Sequence, residues 1–436
     1  MTSILISTWG DPHYWADVTY SIHGKKYPKP TKSSLPIILK HIQPAPEKVL
    51  LIVLDTVVKR PASSYEDVRN FVKEYYRNFL HSLEIEIPVE IIVAPGAGTF
   101  KLNNEWYAEF QGSLTDFAAY VTFEVARHIL QTKDKELTVH LDLTHGVNFM
   151  PSLTYASSCQ LLETIAISRN IYLKVYNAEP YIRGVTTKLN IHIVESRKVT
   201  PSIKCQALSH GRLLKQTKPE KKLESVRLQL KDVYELNAFL SSLHNGLPLV
   251  YFTFYPDVDN LGSLLKKAEE IWSLGIEVHQ MTSTIVSDKI SESKKMLVQR
   301  KLNFDEEFIK CVIIWAIAKA LDYSRKNEVK LSELKSMKQK VFGKWLKLSS
   351  MIGYDLDGLK KDLSLVSSRW MKLSQLDEKY RPPRTKETLI RNFLAHSGLE
   401  KSMVFAKREH NQIMLCYDPK ARETIFKACL KGLARG

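Results

Sequence analysis

The stretch that decides the fold is LTVHLDLTHGVNFMPSLTYASSCQLLETIAISRNIYLKVYN, residues 137–177. LTVHLDLT (137–144) is a short run rich in β-branched and aliphatic residues, which reads as a strand buried on both faces. A polar loop follows, DLTHGVNFMP (142–151), in which Gly146 precedes a helix start marked by Asn148 and Pro151. Residues 149–168 have helical length and pattern, and IYLKVYN (171–177) reads as a second buried strand. Strand, helix, strand over about 40 residues is the unit from which parallel sheets are built.

The same unit recurs on either side. SILIST (3–8), VLLIVLD (49–55), VEIIVAP (89–95) and LNIHIVE (189–195) are further apolar runs, with helix-length segments at 64–82 and 113–132. The spacing predicts an α/β domain, Rossmann-like and doubly wound with a mostly parallel sheet, over residues 1–195. Residues 196–222, SRKVTPSIKCQALSHGRLLKQTKPEKK, are basic and weakly periodic and read as a linker. From 223 to 436 three- and four-residue apolar spacing predicts a mainly α-helical domain. Two interruptions read as extended: LPLVYFTFY (247–255), and MVFAKREHNQIMLCY (403–417), whose polar centre suggests a hairpin.

With 436 residues, two domains are the natural division. No window of about 18 uncharged apolar residues and no signal-peptide pattern occurs, so the expectation is a soluble, cytoplasmic protein. Five scattered cysteines, none in a C-x-x-C pair, argue against a disulfide framework and against a zinc site. The net charge of +16 points to a polyanionic partner, nucleic acid or another phosphate-rich ligand.

In open α/β sheets the ligand sits beyond the carboxyl ends of the strands. The loops there read TWGDPHYW (8–15), DTVV (55–58), APGAGTF (94–100), DLTHGVNFMP (142–151) and NAEPY (177–181). Gly146 ahead of a helix N-terminus suits the approach of a phosphate or ribose, and Gly96 and Gly98 offer the same from the third loop. Trp9 reads as a base-stacking ring or as a core aromatic, and His145 as a ligand contact or a plain loop residue. G-x-G-x-x-G and G-x-x-x-x-G-K-[ST] are both missing, which weighs against nicotinamide cofactors and ATP-driven chemistry.

Near the C-terminus stands RPPRTKETLIRNFLAHSGLEK (381–401). Thr385 is a fitting N-cap and Gly398 a fitting stop, so the helix should run from about Lys386 to His396. Leu389, Ile390, Phe393 and Leu394 form its apolar stripe. Arg391, Asn392 and His396 fall on the other side, Asn392 and His396 one turn apart and Arg391 farther round. RNA carries its own nucleophile in the 2′-hydroxyl, so a proton-transferring histidine and a forked, permanently charged arginine suffice for phosphodiester cleavage, with no metal required.

Taken together, the STWGD loop, the DLTHGVN segment and the single R-x4-H match RNFLAH in a helical second domain resemble the CRISPR-associated CARF–HEPN ribonucleases that accompany type III interference complexes. The resemblance implies a CARF sensor domain that dimerises and binds a cyclic oligoadenylate, with cyclic tetra-adenylate the expected ring. It also implies a HEPN endoribonuclease cutting single-stranded RNA to 2′,3′-cyclic phosphate and 5′-hydroxyl ends in antiviral defence. It gives Thr8, Trp9, Gly10, Asp11, Thr144, His145, Gly146 and Asn148 as sensor residues, with Gly96, Ala97 and Gly98 placed more by loop position than by motif. Arg391, Asn392 and His396 become the catalytic set, with no metal and no cofactor beyond the activator. A homodimer, able to assemble further, and an insertion within the helical domain at 247–305 are expected on the same ground. The alternative is a ligand-responsive transcription regulator, the same sensor joined to a DNA reader.

Overall fold

The structure is a computed structural model and describes residues 2–216, 221–285 and 291–434. The end of the expected linker, 217–220, lies outside the described residues. Packing divides the chain into two compact units. One comprises Met1–Thr200, Leu214–Leu223 and Lys266–Asp305, the other Pro201–Leu213, Glu224–Leu265 and Glu306–Gly436.

The first unit begins with β1 (Thr2–Trp9), buried along its whole length, then β2 (Thr19–Ile22), β3 (Lys25–Lys26), α1 (Leu35–His41), β4 (Lys48–Leu54) and α2 (Tyr65–Ser82). After β5 (Val89–Ala94), β6 (Gly98–Lys101) and β7 (Trp106–Gln111) come α3 (Leu114–Ile129), β8 (Glu136–His145), α4 (Phe149–Ile165), β9 (Asn170–Ala178) and β10 (Lys188–Lys198). The main sheet has eight strands in the order β3-β2-β10-β9-β8-β1-β4-β5. β9, β8, β1, β4 and β5 run parallel, whereas β10 is antiparallel to β9. The Ile, Val and Leu of these runs lie inside it: Val49–Val53 and Leu137, Val139 and Leu141 are almost wholly buried.

Local signals fix the helices. Ser64 and Asp67 form a reciprocal capping box at the start of α2, and Val68, Val72, Tyr76 and Leu80 turn one stripe inward. The strand order reverses at β1, whose neighbours are β4 on one side and β8 on the other. Such a switch point is where a ligand crevice is expected, here between the loops after β1 and β8.

Within the same unit, and after β11 (Leu214–Gln216), residues 266–305 return to build a second sheet. The chain passes α5 (Leu230–Asn245), α6 (Pro248–Thr253) and α7 (Val258–Leu274) before β12 (Ile276–Ile285), β13 (Ser291–Arg300) and β14 (Leu302–Phe304). β12 and β13 form an antiparallel ladder, and β13 runs parallel to β7, giving the order β12-β13-β7-β6.

The second unit holds α5, α6, α8 (Glu306–Leu321) and α9 (Leu331–Lys340), the last preceded by β15 (Val329–Lys330). Then come α10 (Leu346–Gly358), α11 (Lys360–Ser364), β16 (Met371–Lys372), α12 (Leu373–Leu376), α13 (Lys386–Ala395), β17 (Val404–Glu409), β18 (Gln412–Tyr417) and α14 (Arg422–Leu433). The hairpin expected at 403–417 is β17–β18, inside a small sheet β15-β18-β17-β16. The extended reading of 247–255 is corrected: α6 occupies it. Pro248 presets the first helical turn, and Tyr251, Phe252 and Tyr255 cluster with Phe239 and Tyr323, so aromatic burial overrides strand propensity. Among the described residues no helix is long and apolar enough to cross a membrane.

Candidate active site and sensor loops

Helix α13 is built as its sequence demands. The Thr385 hydroxyl accepts the Thr388 N–H at 3.1 Å as N-cap, and Phe393 is fully buried with its ring 6.0 Å from that of Tyr417. At the other end the His396 N–H donates to Asn392 O and the Gly398 N–H to Phe393 O, each at 2.9 Å. Ser397 and Gly398 turn to φ 48° and 75°, which ends the helix at His396. Arg391 and His396 are exposed and Asn392 is half-buried, so all three leave the core.

One further group joins them from α10. Asp355, nearly buried, holds the Ser397 hydroxyl on Oδ2 at 2.5 Å and faces His396 Nδ1 with Oδ1 at 3.4 Å. A carboxylate only accepts, so Nδ1 is the donor in this contact and Nε2 is the ring nitrogen that Asp355 does not engage. The imidazole itself stays 57% exposed and open to a substrate. Arg391 has no ion pair among the described residues, and its guanidinium is free to meet an anion.

In the first unit the loops after β1 and β8 meet at the switch point, where the crevice is expected. They are tied together by the Gly10 N–H donating to His145 O at 2.7 Å. Tyr76 donates to Gly10 O, and Asp11 accepts the Tyr75 hydroxyl at 2.7 Å and pairs with Lys59. Thr144 N–H donates to Asp142 Oδ1, and Asn148 stands exposed at the first turn of α4 with φ 48° and no capping bond of its own. At that helix start the Met150 N–H already donates to Val147 O at 3.0 Å, and Pro151 carries no N–H.

Other residues of these loops face the protein. Thr8 and Trp9 are fully buried, and the Trp9 ring packs edge-on against Trp15 and Phe79, so it is a core aromatic and not a stacking platform. His145 stacks on Trp15 at 4.0 Å while its Nε2 accepts the Ser34 N–H at 3.1 Å. That bond requires the neutral ring, and burial pushes its pKa down to about 3. The space beside Gly146 is filled from within: a Cβ there would lie 2.4 Å from Thr8 Oγ1 and 2.5 Å from Pro151 Cγ. Burial raises Asp142 above the usual carboxylate range, and the hydroxyls of Ser7 and Ser34 pull against that rise.

The third loop stands apart from the crevice, since β5 is the edge strand. Gly96 N–H donates to Asp55 Oδ1 at 2.8 Å and Gly96 O accepts Arg300 Nη1 at 2.7 Å, while Asp55 and Arg300 form a buried ion pair joined by Tyr65. Ala97 is half-buried and Gly98 exposed at φ 128°.

Residues 4–180 match the family model for the CARF domain of the CRISPR system endoribonuclease Csx1, and residues 279–420 match that for its HEPN domain. The chain is also 33% identical over 430 residues to the CRISPR system endoribonuclease Csx1 of Methanocaldococcus jannaschii, an alignment covering 92% of this chain and 86% of that protein. The chain belongs to the Csx1 family of CRISPR endoribonucleases.

In this Csx1 chain α13, Arg391, His396 and Asp355 all fall inside the HEPN match, and both crevice loops fall inside the CARF match. A CARF domain implies a nucleotide ligand and a HEPN domain an RNA substrate; the resemblance seen in the sequence holds at the level of the family. Reasoning from the sequence missed Asp355, which carries no motif spacing to His396, and Lys59 and Tyr75, which reach Asp11 from α2 and the loop before it. Tyr14, 77% exposed in the quoted TWGDPHYW loop, was within reach of that reading, because an exposed aromatic beside a lysine is a ready surface for a base.

Proposed function

We propose that this Csx1 chain is a metal-independent endoribonuclease that cuts single-stranded RNA at Arg391, Asn392 and His396, and that cyclic oligoadenylate, as the tetra-adenylate ring, activates it in type III CRISPR antiviral defence. The single observation that carries the reading is the Asp355–His396 contact at an exposed helix end, with Arg391, which has no ion pair among the described residues, on the same helix.

The chemistry follows from the groups. Asp355 holds Nδ1–H, so His396 Nε2 takes the proton of the 2′-hydroxyl as it attacks phosphorus, or returns one to the departing 5′-oxygen. Arg391 meets the charge that builds on the phosphorane oxygens, and the Asn392 amide, one turn before His396, supplies a neutral hydrogen-bonding group. The products are a 2′,3′-cyclic phosphate and a 5′-hydroxyl. One helix offers one histidine, so acid and base at once call for two copies of α13, which is the reason for assigning a homodimer with a composite cleft.

We assign residues 1–195 to the sensor, 196–222 to the linker and 223–436 to the nuclease domain with an insertion at 247–305. That Lys266–Asp305 packs within the first unit supports an insertion there. Gly10, Asp11, Thr144 and Asn148 form the ligand face, shaped from beneath by Thr8, Trp9, His145 and Gly146; Gly96, Ala97 and Gly98 are assigned to the sensor by loop position only, since their loop stands apart at the edge strand. Activation requires that the ring bind the active arrangement more tightly than the resting one. The test is the nature of the RNA ends produced in EDTA with and without cyclic tetra-adenylate. Cyclic-phosphate ends that increase with activator support the reading, and 3′-hydroxyl ends or activity abolished by EDTA count against it.

A further inference from the structure

The second unit contains a cavity of about 520 Å³ that the catalytic reading leaves unused. Its walls are aromatic: Phe254 at the end of α6, Trp370 before β16, Phe405 on β17 and Tyr417 on β18. Phe254 and Tyr417 are buried, whereas Trp370 keeps 36% of its surface exposed at the mouth. Two carboxylates and one arginine also line it; Arg422 pairs with Glu235 and lies 5.6 Å from the ring centre of Phe254. Glu328 pairs with Lys407 at 3.2 Å and Asp418 with Lys372 at 2.7 Å. Those lysines lie 4.8 Å and 5.5 Å from the ring centres of Trp370 and Phe405 respectively.

Matched charge around flat apolar walls suits a neutral planar ring better than a polyanion or a bare cation. A nucleobase satisfies every part: its faces stack on aromatic side chains, and its exocyclic amine donates to a carboxylate. The cavity is also joined to the catalytic helix. Tyr417, one of its walls, donates its hydroxyl to Gly398 O at 2.8 Å, two residues beyond His396.

We propose that this cavity receives an unstacked nucleobase bearing an exocyclic amino group, supplied by the substrate RNA, and so selects where the strand is cut. The proposal rests on the endoribonuclease reading. Of the two sources of such a base, an RNA strand or a free nucleotide, the connection to Gly398 favours the strand.

The experiment uses the full chain with His396→Ala, which keeps RNA intact, and a single-stranded oligomer carrying one 8-azidoadenosine. After irradiation and digestion, mass spectrometry should find the adduct on peptides containing Trp370, Phe405 or Tyr417, and unlabelled oligomer should compete at far lower concentration than adenosine monophosphate. Bound RNA with adducts only elsewhere overturns the proposal, as does more effective competition by the monophosphate. In the active protein, Trp370→Ala should raise KM for RNA roughly tenfold and flatten the preference among cut sites, with Trp370→Phe close to wild type. An unchanged cut pattern with an unchanged KM also overturns it. If Trp370→Ala does not fold, Glu328→Gln at the rim replaces it, with the same loss of site preference expected. Cross-linking does not depend on cleavage, so an adduct in the cavity of a protein that never cuts RNA removes the catalytic reading while leaving the base site standing.

Discussion

The Nδ1 of His396 lies 3.4 Å from Oδ1 of Asp355, a residue 41 positions earlier on another helix. The same carboxylate holds Ser397, so Asp355 positions both the His396 ring and the turn that follows it. Its removal should therefore disturb proton transfer more than substrate binding.

Asp355→Asn keeps the shape but no longer demands a hydrogen on Nδ1. Single-turnover cleavage of single-stranded RNA should slow by about 100-fold or more with little change in KM. A rate within a few-fold of wild type would leave Asp355 a helix anchor only.

Arg391 has no ion pair among the described residues, as the proposed role at a phosphorane requires. Arg391→Lys retains the charge but loses the fork, and the rate constant for cleavage should fall by roughly 100-fold while the melting temperature stays within about two degrees, as expected for an exposed site. A parallel loss of stability would assign Arg391 to folding instead.

At Gly398 φ is 75°, and a Cβ would stand 2.9 Å from the Tyr417 hydroxyl. Gly398→Ala should cost about 1–2 kcal/mol in denaturant unfolding and lower cleavage as well, because the turn sets where His396 sits. A variant as stable as wild type would mean that the turn relaxes without cost.

Burial holds the His145 pKa near 3, against about 6.5 in an unfolded chain. Below pH 6.5 the unfolded chain takes up a proton that the native ring refuses. The contribution of His145 to stability is thus full above about pH 6.5 and lost as pH falls toward 3. His145→Gln should be less stable than wild type near neutrality yet lose less melting temperature on acidification to about pH 5. Equal losses in the two proteins would contradict the neutral, buried imidazole.

Much of the fold was legible because it is encoded locally. The parallel strands announce themselves as Ile, Val and Leu runs, α2 by a helix-length pattern at 64–82, α13 by Thr385 and Gly398, and the β17–β18 hairpin by its polar centre. What was not legible depends on partners far away in the chain. Nothing within residues 291–300 signals that they pair with β7, and Arg300 meets Asp55 across 245 positions. The 247–255 segment read as strand because aromatic content alone does not separate a buried helix from a buried strand. In the candidate site the motif residues Arg391, Asn392 and His396 were found by spacing on one helix, whereas Asp355 was invisible because a carboxylate held against a histidine by tertiary packing leaves no periodic trace. Trp9 and Thr8 were read as ligand contacts from their position at the end of β1, but side-chain direction at a strand end is set by what covers it, for Trp9 the rings of Trp15 and Phe79.

The most direct measurement compares wild type and His396→Ala in cleavage of one fluorogenic single-stranded RNA, in EDTA, with and without cyclic tetra-adenylate. The account predicts that the activator accelerates wild type, that the variant is inert in both conditions, and that both proteins melt at similar temperatures. Cleavage by a folded His396→Ala protein at the wild-type rate would contradict it.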